Sequence, residues 1–84
     1  MSTEIQNKVI TIIADKSDRK PEEIKLTDEL GTDLGFDSLD GVELCMEVEK
    51  AFNIAFTDQE METFNTVQDV VNMTEEKIKA KDKK

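Results

Sequence analysis

The stretch Leu34-Gly35-Phe36-Asp37-Ser38-Leu39-Asp40, continued by Val42-Glu43-Leu44 and running on to Phe52, decides how the rest of the 84-residue chain is read. A glycine turn leads into Asp37, a favoured N-cap type. Asp40 stands three residues on, which is a weak form of the reciprocal cap that opens a helix. Ser38 is then the first helical residue, and its hydroxyl is not consumed by capping. The first-turn amides and the positive end of the helix dipole favour a phosphate attached or bound at that point. Serine is also enriched at helix starts without any further role, and the local pattern alone favours that plainer reading.

From Ser38 to about Phe52 the spacing predicts a helix that is not a simple amphipath. Leu44, Cys45, Val48, Ala51 and Phe52 make a core side, Asp40, Glu43, Glu47 and Lys50 mark the outside, and Leu39 and Met46 straddle the border. An acidic row flanked by apolar side chains reads either as a docking surface or as an ordinary exposed face. Cys45, on the Leu44 and Val48 side, reads as a small buried hydrophobe and not as a reactive thiol.

Working outward toward the N-terminus, Ile5, Val9, Ile12 and Ile13 repeat at the interval of one buried helix face, so a first helix is expected from Thr3 to Lys16. Ser17-Asp18 reads as a turn, and the helix must end before Pro21, which pushes Lys20 out of helical geometry. A long connection follows, with one helical turn over Pro21-Glu22-Glu23-Ile24 and with Ile24, Leu26, Leu30 and Leu34 anchoring it. Gly35 is a better candidate than Gly31 for a positive φ. Toward the C-terminus, Asn53-Ile54-Ala55-Phe56 breaks the helical pattern. Thr57-Asp58-Gln59-Glu60 is a capping box for a short helix reaching Thr63, and Thr66-Val67-Gln68-Asp69 opens a last helix in a similar way. Val67, Val70, Val71 and Ile78 give that helix its inner stripe, and a flexible lysine-rich tail is expected from about 79. With no strand alternation and no repeat, the expected fold is all-α: one domain over 1–84, a small four-helix bundle with a long loop between the first and second helices and a short third helix.

The chain is 37% hydrophobic and 37% charged, with a net charge of −9. The charge is uneven: Leu26 to Glu76 holds fourteen acidic residues and a single basic one, Lys50. A nucleic-acid backbone would be repelled there, so the charge points to a partner with a basic patch. Histidine is absent and Cys45 is the only cysteine, which leaves no intramolecular disulfide and no Cys/His zinc site. A reducing cytoplasmic setting, a monomer and no membrane insertion are the matching expectations, since no apolar run is long enough to span a bilayer. Without histidine Ser38 has no base to activate it, so the chain is read as a non-enzyme. No metal site is assigned: pairs such as Asp33/Asp37 and Glu43/Glu47 read as exposed acidic surface, with weak affinity for hard cations at most.

The string Asp33-Leu34-Gly35-x-Asp37-Ser38-Leu39-Asp40, followed by Val42-Glu43-Leu44 and by Met46, Glu49 and Phe52, resembles the acyl carrier proteins. The similarity extends from the first helix to Thr66-Val67-Gln68-Asp69. It implies that Ser38 carries phosphopantetheine through a phosphodiester, with Asp37 and Leu39 beside it, and that the thiol ending that arm holds acyl groups as thioesters. It implies as partners a phosphopantetheinyl transferase, acyl transferases and ketoacyl synthases with basic docking patches. Leu39, Asp40, Glu43, Met46 and Glu47 would meet them, in fatty acid synthesis or a specialised lipid or polyketide-type pathway. Phe36, Gly41 and Cys45 depart from the usual fatty-acid pattern of a small residue, threonine and an aliphatic residue, so the resemblance implies a carrier of the fatty-acid type in fold and chemistry and leaves open whether it serves general chain elongation or a dedicated pathway. An alkyl cargo is expected in an interior lined by Val48, Ile54, Phe56, Met61, Phe64 and Val71. The alternative is a non-catalytic acidic adaptor that binds a basic partner through the second helix, with Ser38 unmodified or phosphorylated. An EF-hand-like calcium sensor is a poorer third reading, because the acidic residues miss the required loop spacing.

Overall fold

The computed structural model describes residues 2–82. Helix α1 (Ser2–Ser17) is followed by a 3-10 turn (Pro21–Glu23), then by α2 (Ser38–Phe52), α3 (Asp58–Glu62) and α4 (Val67–Asp82). Extended pairing among the described residues is limited to an isolated antiparallel bridge between Glu29 and Thr66. The all-α reading, the long first loop and the short third helix are all present.

Helix α1 buries Val9 and Ile13 completely and covers Ile5 and Ile12 in part, as the spacing required; Ala14 joins them. It ends where Asp18 turns to φ 58 and the Arg19 amide bonds back to Ala14 O at 2.9 Å. Aspartate tolerates this left-handed conformation better than most side chains.

The long loop is pinned at both levels. Ile24, Leu30 and Leu34 are buried and Leu26 is partly so. Its backbone bonds to the start of α4: Val67 N–H donates to Asp28 O at 3.0 Å and Gln68 N–H to Leu26 O at 2.9 Å, while Leu30 N–H donates to Asn65 O at 2.9 Å. Two of the first amides of α4, which no intrahelical carbonyl can satisfy, thus find acceptors in the loop.

Leu44, Cys45 and Val48 of α2 meet Val67, Val70 and Val71 of α4 in one buried cluster that includes Phe56. The core side of α2 is shorter than the periodicity implied. Ala51 is exposed and Phe52 only half-buried, with the Lys8 ammonium 5.4 Å over the Phe52 ring. At that end a lysine on an aromatic face replaces aliphatic packing. On α4, Ile78 is half-buried and Thr74 is fully buried, its hydroxyl donating to Val70 O at 2.7 Å.

Two reciprocal caps and one left-handed residue set the remaining helix ends; at the start of α4, Asp69 N–H donates to Thr66 Oγ1 at 3.2 Å and Thr66 N–H to Asp69 Oδ2 at 3.0 Å. Thr57 and Glu60 cap α3 reciprocally, and Asn53 at φ 56 closes α2. Lys77 on α4 holds Glu60 at 2.8 Å, tying α3 down. The expected tail from about 79 begins inside α4, since residues through Asp82 are helical and Lys81 Nζ donates to Asn53 O at 3.0 Å. Residues 83–84 lie outside the described part.

Candidate functional site

The turn ahead of α2 is built as its residues dictate. Gly35 takes φ 73, a conformation glycine alone adopts without strain, and a Cβ there would meet nothing within 4 Å. Backbone freedom and not crowding is therefore what the position requires. Phe36 N–H bonds to Leu30 O at 2.9 Å, and Asp37 is extended at φ −91, ψ −173. Asp40 N–H donates to Asp37 Oδ1 at 2.8 Å and Asp37 N–H to Asp40 Oδ2 at 3.2 Å, so the cap is fully reciprocal. Ser38 is the first residue of α2, exposed, and none of the hydrogen bonds among the described residues uses its hydroxyl.

Beside Ser38 lies a cleft of about 600 Å³ between the N-terminal half of α2, the loop and α3. Leu30, Phe36, Val42, Leu44, Met61 and Phe64 supply its apolar wall, and Asp37, Asp58 and Glu62 its acidic rim. This corrects the expected interior. Of the six residues assigned to it only Met61 and Phe64 border the cleft. Val48, Val71 and Phe56 are already closed within the core, with Phe56 edge-on against Phe64 at 5.2 Å. The cleft itself lies toward the serine end of α2.

Cys45 is buried at the inner edge of that cleft. Burial, helped by the Glu49 charge, pushes its thiol up to about 11, so it stays protonated at neutral pH and is a poor nucleophile. The cleft lining contains no lysine and no histidine, and its titratable residues besides Cys45 are Asp37, Asp58 and Glu62.

Along the outside of α2, Leu39, Val42 and Met46 are 64%, 46% and 58% exposed, an apolar strip at helical spacing. Leu39 and Met46, read as border residues, are more exposed than that reading allowed, and Val42 belongs with them. Asp40, Glu43 and Glu47 run beside the strip. Glu43 differs from the expected picture of an open acidic row, because Lys16 of α1 donates to its Oε1 at 2.5 Å. That contact, with the Glu43, Glu47 and Asp40 charges behind it, raises the Lys16 ammonium above its ordinary value. Among the described residues no group of three acidic or sulfur side chains is placed to hold a metal ion, and no helix is long and apolar enough to cross a membrane.

The site is thus a helix start whose serine hydroxyl is left free by the cap, beside a cleft with an apolar wall and an acidic rim. Residues 7–74 match the family model described as the phosphopantetheine attachment site. An acyl carrier protein of Rickettsia bellii (strain RML369-C) is 44% identical over 72 residues, covering 86% of this chain and 84% of that protein. One from Amoebophilus asiaticus (strain 5a2) is 42% identical over 79 residues, covering 94% and 99%. The fold matches the solution structure of the apo doublet acyl carrier protein from prodigiosin biosynthesis with a TM-score of 0.74, at 23% identity, over 88% of this chain and 36% of that longer one. The chain belongs to the acyl carrier protein family, non-catalytic carriers that bear acyl groups on phosphopantetheine.

Proposed function

We propose that Ser38 is the residue that bears the phosphopantetheine arm, and that the chain delivers acyl groups to enzymes of fatty acid synthesis or of a dedicated lipid or polyketide-type pathway. The carrying observation is the exposed Ser38 hydroxyl at the first position of α2, with Asp37 and Asp40 capping one another and leaving it unused. A phosphodiester there meets the first-turn amides and the positive end of the helix dipole. The arm supplies a thiol on which acyl groups are held as thioesters. Asp37 fixes the helix start, and Leu39 beside it is exposed to whichever protein reads the site. Because Ser38 has no base of its own, a phosphopantetheinyl transferase must supply one.

Partners with basic patches, among them acyl transferases and ketoacyl synthases, dock in this reading on the strip of Leu39, Val42 and Met46 and its neighbours Asp40, Glu43 and Glu47. The cleft beside Ser38 suits an alkyl chain, each methylene drawn from water contributing about 0.8 kcal/mol. A chain over 1–84 acting as one monomeric domain in a reducing cytoplasm is consistent with its single, buried thiol.

Intact mass after incubation with a phosphopantetheinyl transferase and coenzyme A tests the central step. A pantetheine adduct on wild type that is lost in Ser38→Ala supports it; an adduct persisting in Ser38→Ala sinks it, and a simple phosphate in cells would favour a regulated adaptor. Loading with acetyl to long-chain acyl groups then tests the cargo. Melting temperature rising with chain length, with good turnover by a fatty-acid ketoacyl synthase, marks a general carrier; rising stability with poor turnover marks a specialised one. No dependence on length removes the cleft from the account.

A further inference from the structure

The central acidic region contains one basic residue of its own, Lys50. The fold brings in another. Lys16 sits in the last turn of α1, where a cation is favoured by the helix dipole, and its ammonium reaches across to Glu43 Oε1. The Lys16 side chain is only 14% exposed while that of Glu43 is 47% exposed, so the stem is packed and the carboxylate is the outward member of the pair. The ammonium also lies within the field of Glu47 and Asp40, so one cation answers the three carboxylates that border the apolar strip.

We propose that Lys16 is a built-in competitor for the acidic row of α2, occupying Glu43 so that a basic partner must displace it to dock, and thereby setting which partners engage the carrier. The inference rests on the reading of α2 as the docking face. An ion pair at the surface is weak enough to be exchanged, so Lys16 acts as a threshold and not as a block. A partner offering an arginine, whose planar fork binds a carboxylate through two bonds, passes that threshold more easily than one offering a lone lysine. Partners held mainly by the apolar strip do not meet it at all.

The test is steady-state kinetics of a phosphopantetheinyl transferase on the full chain, followed by intact mass, at low and physiological salt. Lys16→Met keeps the apolar stem and removes the charge. It should lower KM by roughly threefold to tenfold at low salt with kcat unchanged, the gain shrinking as salt rises. Lys16→Arg, which retains a cation and can hold Glu43 through two bonds, should leave KM at or above the wild-type value. Lys79→Met is the control for global charge, because Lys79 is an exposed residue in the last turn of α4; it should change KM little. Glu43→Gln should matter little in wild type and much more in the Lys16→Met background. Circular dichroism on each variant checks the fold, and Lys16→Arg supplies a second comparison should Lys16→Met lose helix.

A KM for Lys16→Met that is unchanged, raised, or lowered no more than by Lys79→Met overturns the proposal. So does a Glu43→Gln effect equal in both backgrounds, since Glu43 would then be open already. Adducts forming on every variant with one common KM leave the carrier reading intact and remove only the role of Lys16. Absence of an adduct on every variant removes the carrier reading and this inference with it.

Discussion

Glu49 Oε2 accepts a hydrogen bond from the Phe56 backbone amide at 2.7 Å, so a side chain near the end of α2 holds the turn that leads into α3. The Phe56 ring is buried against Phe64 on the far side of that turn, and the amide is only partly reached by water. Glu49→Ala would leave this N–H without its partner, at about 1–3 kcal/mol. For a domain of this size the melting temperature should fall by about 4–8 °C per kcal/mol. Glu49→Gln keeps an acceptor oxygen and should recover most of the loss. Equal melting of wild type and Glu49→Ala would show that the bond contributes nothing net.

Asp37 and Ser38 are neighbours with opposite sensitivities. Removing the cap in Asp37→Ala should destabilise the fold by about 1 kcal/mol. Ser38→Ala, at an exposed first helical position whose hydroxyl caps nothing, should stay within about 0.5 kcal/mol of wild type. Urea titrations of the two variants decide this, and a reversed order would mean that Ser38 takes part in the cap.

Gly41 lies in the first turns of α2 with nothing within 4 Å of where a Cβ would be. Gly41→Ala should therefore stabilise the fold by up to about 1 kcal/mol, the difference in helix propensity. A lower melting temperature for this variant would show that the glycine serves packing or motion after all.

Stability should fall on both sides of neutrality, for separate reasons. Lys77, through its hydrogen bond, holds the Glu60 carboxyl below its ordinary value. That contribution is present above the ordinary glutamate range and disappears on acidification. Cys45 goes the other way: its thiol is raised from 9.0 to about 11, so its contribution is full below 9 and is lost as pH climbs through 11. Denaturant midpoints across pH should show both limbs, the alkaline one shallower in Cys45→Ala and the acid one shallower in Lys77→Met. Limbs unchanged in both variants would assign the pH dependence to other groups.

Added salt should raise the melting temperature, and magnesium should do so at lower concentration. Screening weakens the Lys16–Glu43 and Lys77–Glu60 pairs as well as the repulsion among the remaining carboxylates. With fourteen acidic residues and one basic residue from Leu26 to Glu76, the repulsion is the larger sum, and surface pairs are individually weak. A melting temperature lowered by salt would reverse that ranking.

The features legible in the sequence were those whose cause is local. Asp37 and Asp40 cap each other across three residues, Thr57 and Glu60 do the same, and Gly35 needs its positive φ within a single residue, so each leaves a short-range signature. The bounds of α2 follow from such signals. The features that were not legible depend on how helices cross. Lys16 reaches Glu43 only because α1 lies against α2, Ala51 is exposed because no neighbouring element covers its side chain, and the cleft opens beside Ser38 while Val48 and Val71 are consumed by the core. Periodicity fixes which face of a helix is apolar but not how far along it the covering element extends. Asn53 lies between the two cases: its left-handed turn is local, and asparagine in that position was a readable helix stop.

Leu30 uses both of its backbone groups across the loop, donating to Asn65 O and accepting from Phe36 N–H, so the seat of the serine turn is joined directly to the residues just ahead of α4. A ribosome releases those two parts of the chain far apart in time. Until the start of α4 has emerged, the Leu26 and Asp28 carbonyls and the Leu30 amide have no partners, and the turn that presents Ser38 has nothing to rest on. A chain cut ahead of Asn65 lacks the acceptor for the Leu30 amide and the donors for the Leu26 and Asp28 carbonyls, so the turn ahead of α2 loses the contacts that brace it from the far end of the sequence.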